Sequence, residues 1–442
     1  MAGAEGNGIG SLQITENNVL SHGVDLFEHM KIDKCLRSGQ EVFYRPVSSH
    51  GDGPFTFVLP SQGDQYVQLG TFKLYGKTSI ERVDQVATKD EIGVVNMFPA
   101  SLFESIEVQL NNNVISEAGV RAAHYMTMIE TLLTYGVDAR NGHLDSAMFD
   151  LSDAGDFDNP TRDTAYKRLL TRVEHGKLFD WEIPVNSDFL RSDRFLPPKH
   201  DLTITFNRSR VEFSLLGVEG IEYTAYRVVF HDLKLYVRML DADPAVLTFH
   251  MNNWRNHPFK FPINRTVIKN YLIPANNSYH EVGPIFTKHL PKNVVIGMVD
   301  TDAYQGSLVK NPWNFQHYNV KKMNIRAMNH CIPHDPYTPN FKLDLFAREY
   351  NGLFQNTGLK ISNEGNCITR NLFKDGCFLM AFDLTPDQCN GFHAHPTQEG
   401  DLRVEIEFYE PLPQSVTMII YSVFDSSLDI DYDRHMTVSS IT

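Results

Sequence analysis

Alternation of apolar and polar residues at a period of two, recurring from end to end, limits this chain to folds built from exposed-face strands. In Asp401 to Phe408, Leu402, Val404, Ile406 and Phe408 alternate with Asp401, Arg403, Glu405 and Glu407. Successive strand side chains point to opposite sheet faces, so such a segment buries one face and wets the other. Ile106, Val108 and Leu110 repeat the pattern, as do Leu202, Ile204 and Phe206, and Leu233, Leu235, Val237 and Met239. Met323 and Ile325 sit between Lys322, Asn324 and Arg326, and Leu428, Ile430 and Tyr432 alternate with Asp429, Asp431 and Asp433. The continuously apolar runs Phe378 to Phe382 and Val416 to Val423 suit strands covered on both faces.

Two stretches carry a helical stripe instead. From Tyr125 the apolar positions fall at Met128, Ile129, Leu132 and Leu133, stopped by Gly136. From Leu343 they fall at Phe346, Ala347, Tyr350 and Phe354, with Asn340 as the predicted cap. Many strands, few helices and no β-α-β rhythm predict an all-β chain of sandwiches. Its 442 residues, 42% of them hydrophobic, suffice for two sandwiches. The division reads as an N-terminal arm, 1–35, a first sandwich, 36–255, and a second, 256–442, split at the turn-rich Asn252 to Pro258.

Charge and cysteines narrow the function. A net charge of −14 leaves no basic stripe to grip phosphates, so direct, sequence-specific nucleic-acid binding is not expected. Lys321 and Lys322 read as solvated strand positions. Cys35, Cys331, Cys367, Cys377 and Cys389 are sparse and odd in number, which suggests reduced thiols and synthesis inside a cell. The N-terminus lacks the basic and apolar regions of a signal peptide, and no run reaches the roughly 18 apolar residues of a membrane helix. The sequons at Asn207, Asn264 and Asn276 read as chance matches in a chain without a secretion signal.

Motifs for chemistry fall short one by one. Gly76-Lys77-Thr78 follows Gly70 at a spacing one residue too long for a P-loop, while Phe72 and Leu74 alternate as in a strand. Cys377, Cys389, His393 and His395 lack the close ligand pairs of a structural zinc site. The loop Val137 to Asp163 carries Asp138, Asp145, Asp150, Asp153, Asp156, Asp158 and Asp163 without the fixed alternation of a calcium loop, and reads as solvated. No Gly-x-Ser-x-Gly elbow occurs. The sequence therefore names no catalytic, cofactor-binding or metal-ligating residue, and no cofactor.

The C-terminal half holds an ordered set of motifs. Gly297-Met298-Val299-Asp300-Thr301-Asp302-Ala303-Tyr304-Gln305-Gly306-Ser307 leads into Lys310-Asn311-Pro312-Trp313-Asn314-Phe315-Gln316-His317-Tyr318. Pro336-Tyr337-Thr338-Pro339-Asn340-Phe341, Phe382-Asp383-Leu384-Thr385-Pro386-Asp387 and Gly400-Asp401-Leu402-Arg403 follow. In order and spacing this succession resembles the major capsid proteins of Polinton (Maverick) elements and adintoviruses, the hexon-like subunits of the adenovirus–virophage lineage. The match is best from Lys292 to Asp433; Asn96-Met97-Phe98-Pro99 and His231 to Tyr236 fit more loosely. The resemblance implies a double jelly roll, homotrimers forming pseudo-hexagonal capsomers, and an icosahedral shell around double-stranded DNA. It further implies a virion location and a single-jelly-roll penton partner, with no membrane insertion. The rival expectation is a carbohydrate-binding or carbohydrate-active β-sandwich, which shares the strand pattern.

Overall fold

The computed structural model describes residues 33–47, 53–61, 63–83, 92–115, 123–219, 226–328, 330–359, 365–388 and 395–440. Most of the expected arm, Cys389 and His393 lie outside these residues.

Eight main strands come from the first half: β1 (Leu36–Tyr44), β2 (Phe55–Leu59), β3 (Gln65–Arg82), β4 (Phe103–Leu110), β5 (Asn113–Val114), β6 (Phe179–Pro184), β7 (Leu202–Arg208) and β8 (Tyr226–Ala242). They pair antiparallel in two sheets, with paths β1-β8-β3-β6 and β2-β7-β4-β5. Eight more follow: β9 (Phe259–Ile273), β10 (Tyr279–Phe286), β11 (Asn293–Asp300), β12 (Val320–Ala327), β13 (His330–Tyr337), β14 (Leu379–Asp383), β15 (Leu402–Phe408) and β16 (Val416–Ile430). Their paths are β9-β16-β11-β14 and β10-β15-β12-β13. Adding eight to each label of the first pair of sheets yields the second pair. Each half is thus a jelly roll of two facing sheets with eight principal strands, beside which Phe195–Leu196 pairs with β3 and Met436–Ser440 with β16, and the repeat lies in topology, where no residue-level repeat exists.

The alternation sets the cores. Leu110, Val108, Ile204, Phe206, Leu235 and Val237 point inward in the first sandwich, and Leu402, Val404, Ile325, Met418, Ile420 and Leu428 in the second; all are buried. Each such side chain contributes roughly 1.5–3 kcal/mol. Gly70 to Thr78 lies within β3, a strand and not a phosphate loop. Gly76 is required there because the Trp181 ring from β6 lies flat over it, 2.3 Å from where a Cβ would stand.

The helices depart from expectation in number. Besides α1 (Ala123–Thr134) there are α2 (Thr164–Val173), α3 (Pro244–Trp254) and α4 (Ala347–Asn356). Asp163 caps α2 by accepting the Ala165 N–H, and Asp243 caps α3 in the same way with Pro244 behind it. Neither is among the two helices expected from the sequence. Asn340 does not cap α4. Its backbone exchanges hydrogen bonds with Leu345 in both directions, and its Oδ1 accepts the Leu343 N–H, so it closes a turn before the helix. Leu343 is consequently outside α4, whose buried positions are Glu349, Gly352, Leu353 and Asn356. The final alternating strand ends at Ile430, leaving Tyr432 beyond it, edge-on to Trp254 at 5.3 Å.

Helix α1 connects β5 to β6, and α4 connects β13 to β14: the same connection in each sandwich.

Candidate functional site

The most elaborate constellation in the molecule is the joint between the sandwiches. Its apolar centre is a cluster of rings. Trp313, fully buried, packs at 5.3 Å from Tyr125 of α1, 5.5 Å from Phe213 and 6.2 Å from His124. Tyr125 also stacks on Tyr304 at 5.6 Å. The polar edges of Trp313 and Tyr125 are satisfied across the joint. Trp313 Nε1 donates to the Asn96 carbonyl at 2.7 Å, and the Tyr125 hydroxyl donates to the Pro312 carbonyl at 3.1 Å. His124 is so thoroughly desolvated that its pKa falls to about 3, which keeps it neutral among the rings.

A charged belt lies beside the rings. Glu130 of α1 pairs with Arg191 at 2.7 Å and accepts from the Tyr421 hydroxyl of β16 at 2.7 Å. Arg191 also pairs with Asp188 at 3.0 Å, and Asp188 accepts the Thr266 N–H of β9 at 2.8 Å. Burial raises the Asp188 pKa, opposed by the Thr266 N–H and by Arg191. Two carboxylates, one guanidinium and one phenol thereby tie the first sandwich to a face of the second.

The acidic loop is largely solvated, with Asp138, Asp145, Asp153 and Asp158 exposed and only Asp163 buried, yet it also supplies a third fastening. Asp150 pairs with Arg140 at 2.7 Å and with Arg168 at 2.5 Å. Asp158 accepts the Asn311 N–H at 2.6 Å, and Asn311 Nδ2 donates to the Phe157 carbonyl at 3.2 Å. Phe157 lies against Gly376 of the second sandwich, where a Cβ would stand 2.1 Å from the ring, and φ there is +139°. Only glycine fits on both counts.

Chemistry is harder to place. Cys377 is walled into the core, its thiol pKa pushed up to about 12 by burial. His395 Nε2 lies 2.9 Å from Asp387. Among the described residues no three His, Cys, Asp or Glu side chains gather as a metal site would need. Ser79 Oγ does lie 2.8 Å from His231 Nε2 across β3 and β8. A hydrolytic triad needs its acid on the far imidazole nitrogen; here Glu81 approaches the serine at 3.4 Å and is held by Arg227 at 2.8 Å. A cavity of about 710 Å³ opens beside the joint, bordered by Thr131, Leu190, Glu130, Arg191 and Tyr421. The Glu130 carboxylate within it is already engaged by Arg191 and Tyr421.

None of these contacts is visible in the sequence, since Glu130 and Tyr421 are 291 residues apart. Trp313, one of only 3 tryptophans, was the available signal, and it falls within the motif set of the resemblance.

Two sandwiches of one topology, joined side by side, define a double jelly-roll protein. No family model matches the chain. The Caenorhabditis elegans protein named Uncharacterized protein F54H12.2 is 22% identical over 408 residues, covering 88% of this chain and 94% of that one. Among solved structures, a chain of the Sputnik virophage cryo-EM structure superposes with a TM-score of 0.63 at 11% identity, over 97% of this chain and 93% of that chain. The Faustovirus major capsid protein gives 0.56 at 8% identity, over 96% of this chain and 93% of that chain. The mavirus major capsid protein gives 0.52 at 10% identity, over 99% and 97%. The fold is therefore the double jelly roll of viral major capsid proteins.

Proposed function

We propose that this chain is a major capsid protein: a structural, non-catalytic subunit whose homotrimers form pseudo-hexagonal capsomers of an icosahedral shell around double-stranded DNA. The supporting observation is the repeat of one strand order in two sandwiches held side by side by a buried joint. Two such lobes repeated about a threefold axis make six similar lobes, a block suited to a hexagonal lattice. The lobes are 36–255 and 256–442, and the motif set from Lys292 to Asp433 favours the Polinton and adintovirus branch. A single-jelly-roll penton protein is the partner at the vertices, genome condensation falls to other, basic proteins, and assembly takes place inside the host cell.

Size-exclusion chromatography with light scattering, followed by negative-stain microscopy, tests this reading. The expected species is three times 50.4 kDa, seen as hexagonal blocks or closed shells. A stable monomer that binds glycans would instead establish the carbohydrate-binding alternative.

A further inference from the structure

The two halves share a topology but not an environment, and the difference falls on matching surfaces. In the second sandwich, Ile268, Tyr421, Val295 and Ala381 form one row across β9-β16-β11-β14. All four are buried, on the face that meets Glu130 and Asp188 of the first sandwich. The corresponding row across β1-β8-β3-β6 is Phe43, Tyr236, Lys73 and Pro184. None of these is buried, and Phe43 is 52% exposed. Phe43 lies 6.0 Å from Tyr236, which lies 6.4 Å from Tyr75, and Lys234 covers Phe43 at 5.5 Å. The result is an aromatic plate on an outer sheet face.

The helices show the mirror of this asymmetry. Helix α1 is buried along most of its length, with the β9-β16-β11-β14 face on one side. Its counterpart α4 leaves Arg348 and Asn351 exposed, and the turn leading into it presents Leu343 at 67% and Leu345 at 64% exposure. One chain thus contains one filled joint, helix shoulder of the first sandwich against sheet face of the second. It also contains both halves of a second joint, unfilled among the described residues: the sheet face of the first and the helix shoulder of the second.

We propose that the plate of Phe43, Tyr75 and Tyr236 docks a second copy of this chain through its Leu343–Leu345 shoulder and α4. The contact continues the internal joint from one chain to the next with the same pair of elements. It is heterologous, so repetition closes a ring when the rotation allows, and three copies return to the start. Four strands about 4.8 Å apart and about seven residues deep give a footprint of about 450 Å². That is more than half of the roughly 800 Å² per partner of a specific interface, with the loops at the rim supplying the rest. This inference rests on the trimeric reading above and specifies its contact.

The test uses the full chain and two exposed-surface double variants: Phe43→Glu with Tyr236→Glu on the plate, and Leu343→Glu with Leu345→Glu on the shoulder. Light scattering should give the unsubstituted chain at three times 50.4 kDa and each variant at 50.4 kDa, with the far-ultraviolet circular dichroism spectrum unchanged. An equimolar mixture of the two variants should give a species of twice 50.4 kDa and nothing larger, because each retains one intact half of the joint. A trimer that survives the plate variant overturns the docking surface and leaves the capsomer reading standing. So does a trimer lost only when residues 1–32 are deleted, which would make that segment the occupant of the plate. A mixture that stays monomeric overturns the head-to-tail pairing. An unsubstituted chain that is itself monomeric overturns the capsomer reading along with this one.

Discussion

Trp313→Phe probes the joint at its centre. The indole is fully buried, and its N–H donates to the Asn96 carbonyl at 2.7 Å. Phenylalanine leaves that carbonyl without its donor, which costs about 1–2 kcal/mol in a buried setting. The smaller ring removes about 40 Å² of apolar burial, about 1 kcal/mol at 25 cal/mol per Å². The unfilled volume against Tyr125 and Phe213 adds somewhat under 1 kcal/mol. Together the change destabilises by about 3 kcal/mol, an effect far outside the usual range of surface substitutions. Urea unfolding followed by far-ultraviolet circular dichroism reads it as a lower midpoint. Because the lost contacts join the sandwiches, the single transition should also broaden or split as the two lobes unfold apart. A midpoint shift worth less than about 1 kcal/mol, with the transition still single, would refute the claim that this ring cluster couples the lobes.

Three further outcomes follow from the geometry. Gly76→Ala drives a methyl into the Trp181 ring at 2.3 Å and should lower stability by about 1–3 kcal/mol in a thermal melt; an unchanged melting temperature contradicts the packing. Tyr421→Phe removes the hydroxyl bonded to Glu130 and should cost about 1 kcal/mol, abolished in a double-mutant cycle with Glu130→Ala if the pair is the cause. Burial lowers the His317 pKa from 6.5 to about 4, with Lys374 adding to the effect. The unfolded chain therefore takes up the proton first, and stability falls as pH drops from about 6.5 towards 4, by about 2 kcal/mol at pH 5 from this group. His317→Asn keeps an acceptor for the Asn319 N–H and should flatten that slope; an identical slope excludes His317 as its source.

The strands were legible because their chemistry is local. Leu402 to Phe408 and Leu233 to Met239 show their period in seven residues, and the structure places both in strands. α2 was equally legible in principle, with Ala165, Tyr166, Leu169 and Val173 on one face behind the Asp163 cap, but the acid content of the surrounding loop masked it. α3 offered only its Asp243-Pro244 start, since Trp254 alone is buried and no apolar stripe exists. Asn340 misled because the same side chain that caps a helix also closes a turn. The joint was illegible for a different reason. Trp313 with Asn96 and Glu130 with Tyr421 are meetings of residues 217 and 291 positions apart, and no local pattern encodes a partner at that distance.

That same separation has a price during synthesis. When α1 leaves the ribosome, the residues that cover its outer side have not been made. Trp313 must still be translated, and Tyr421 later still, 291 residues after Glu130. At about 5–20 residues per second the interval is about 15–60 s, long enough for the first lobe to collapse around its own sheets. Throughout it a helix of nine core-type side chains, Ala123 to Leu132, stands uncovered on one flank. The nascent chain is thus stickiest midway through its own manufacture, and a holding chaperone would find its target on α1.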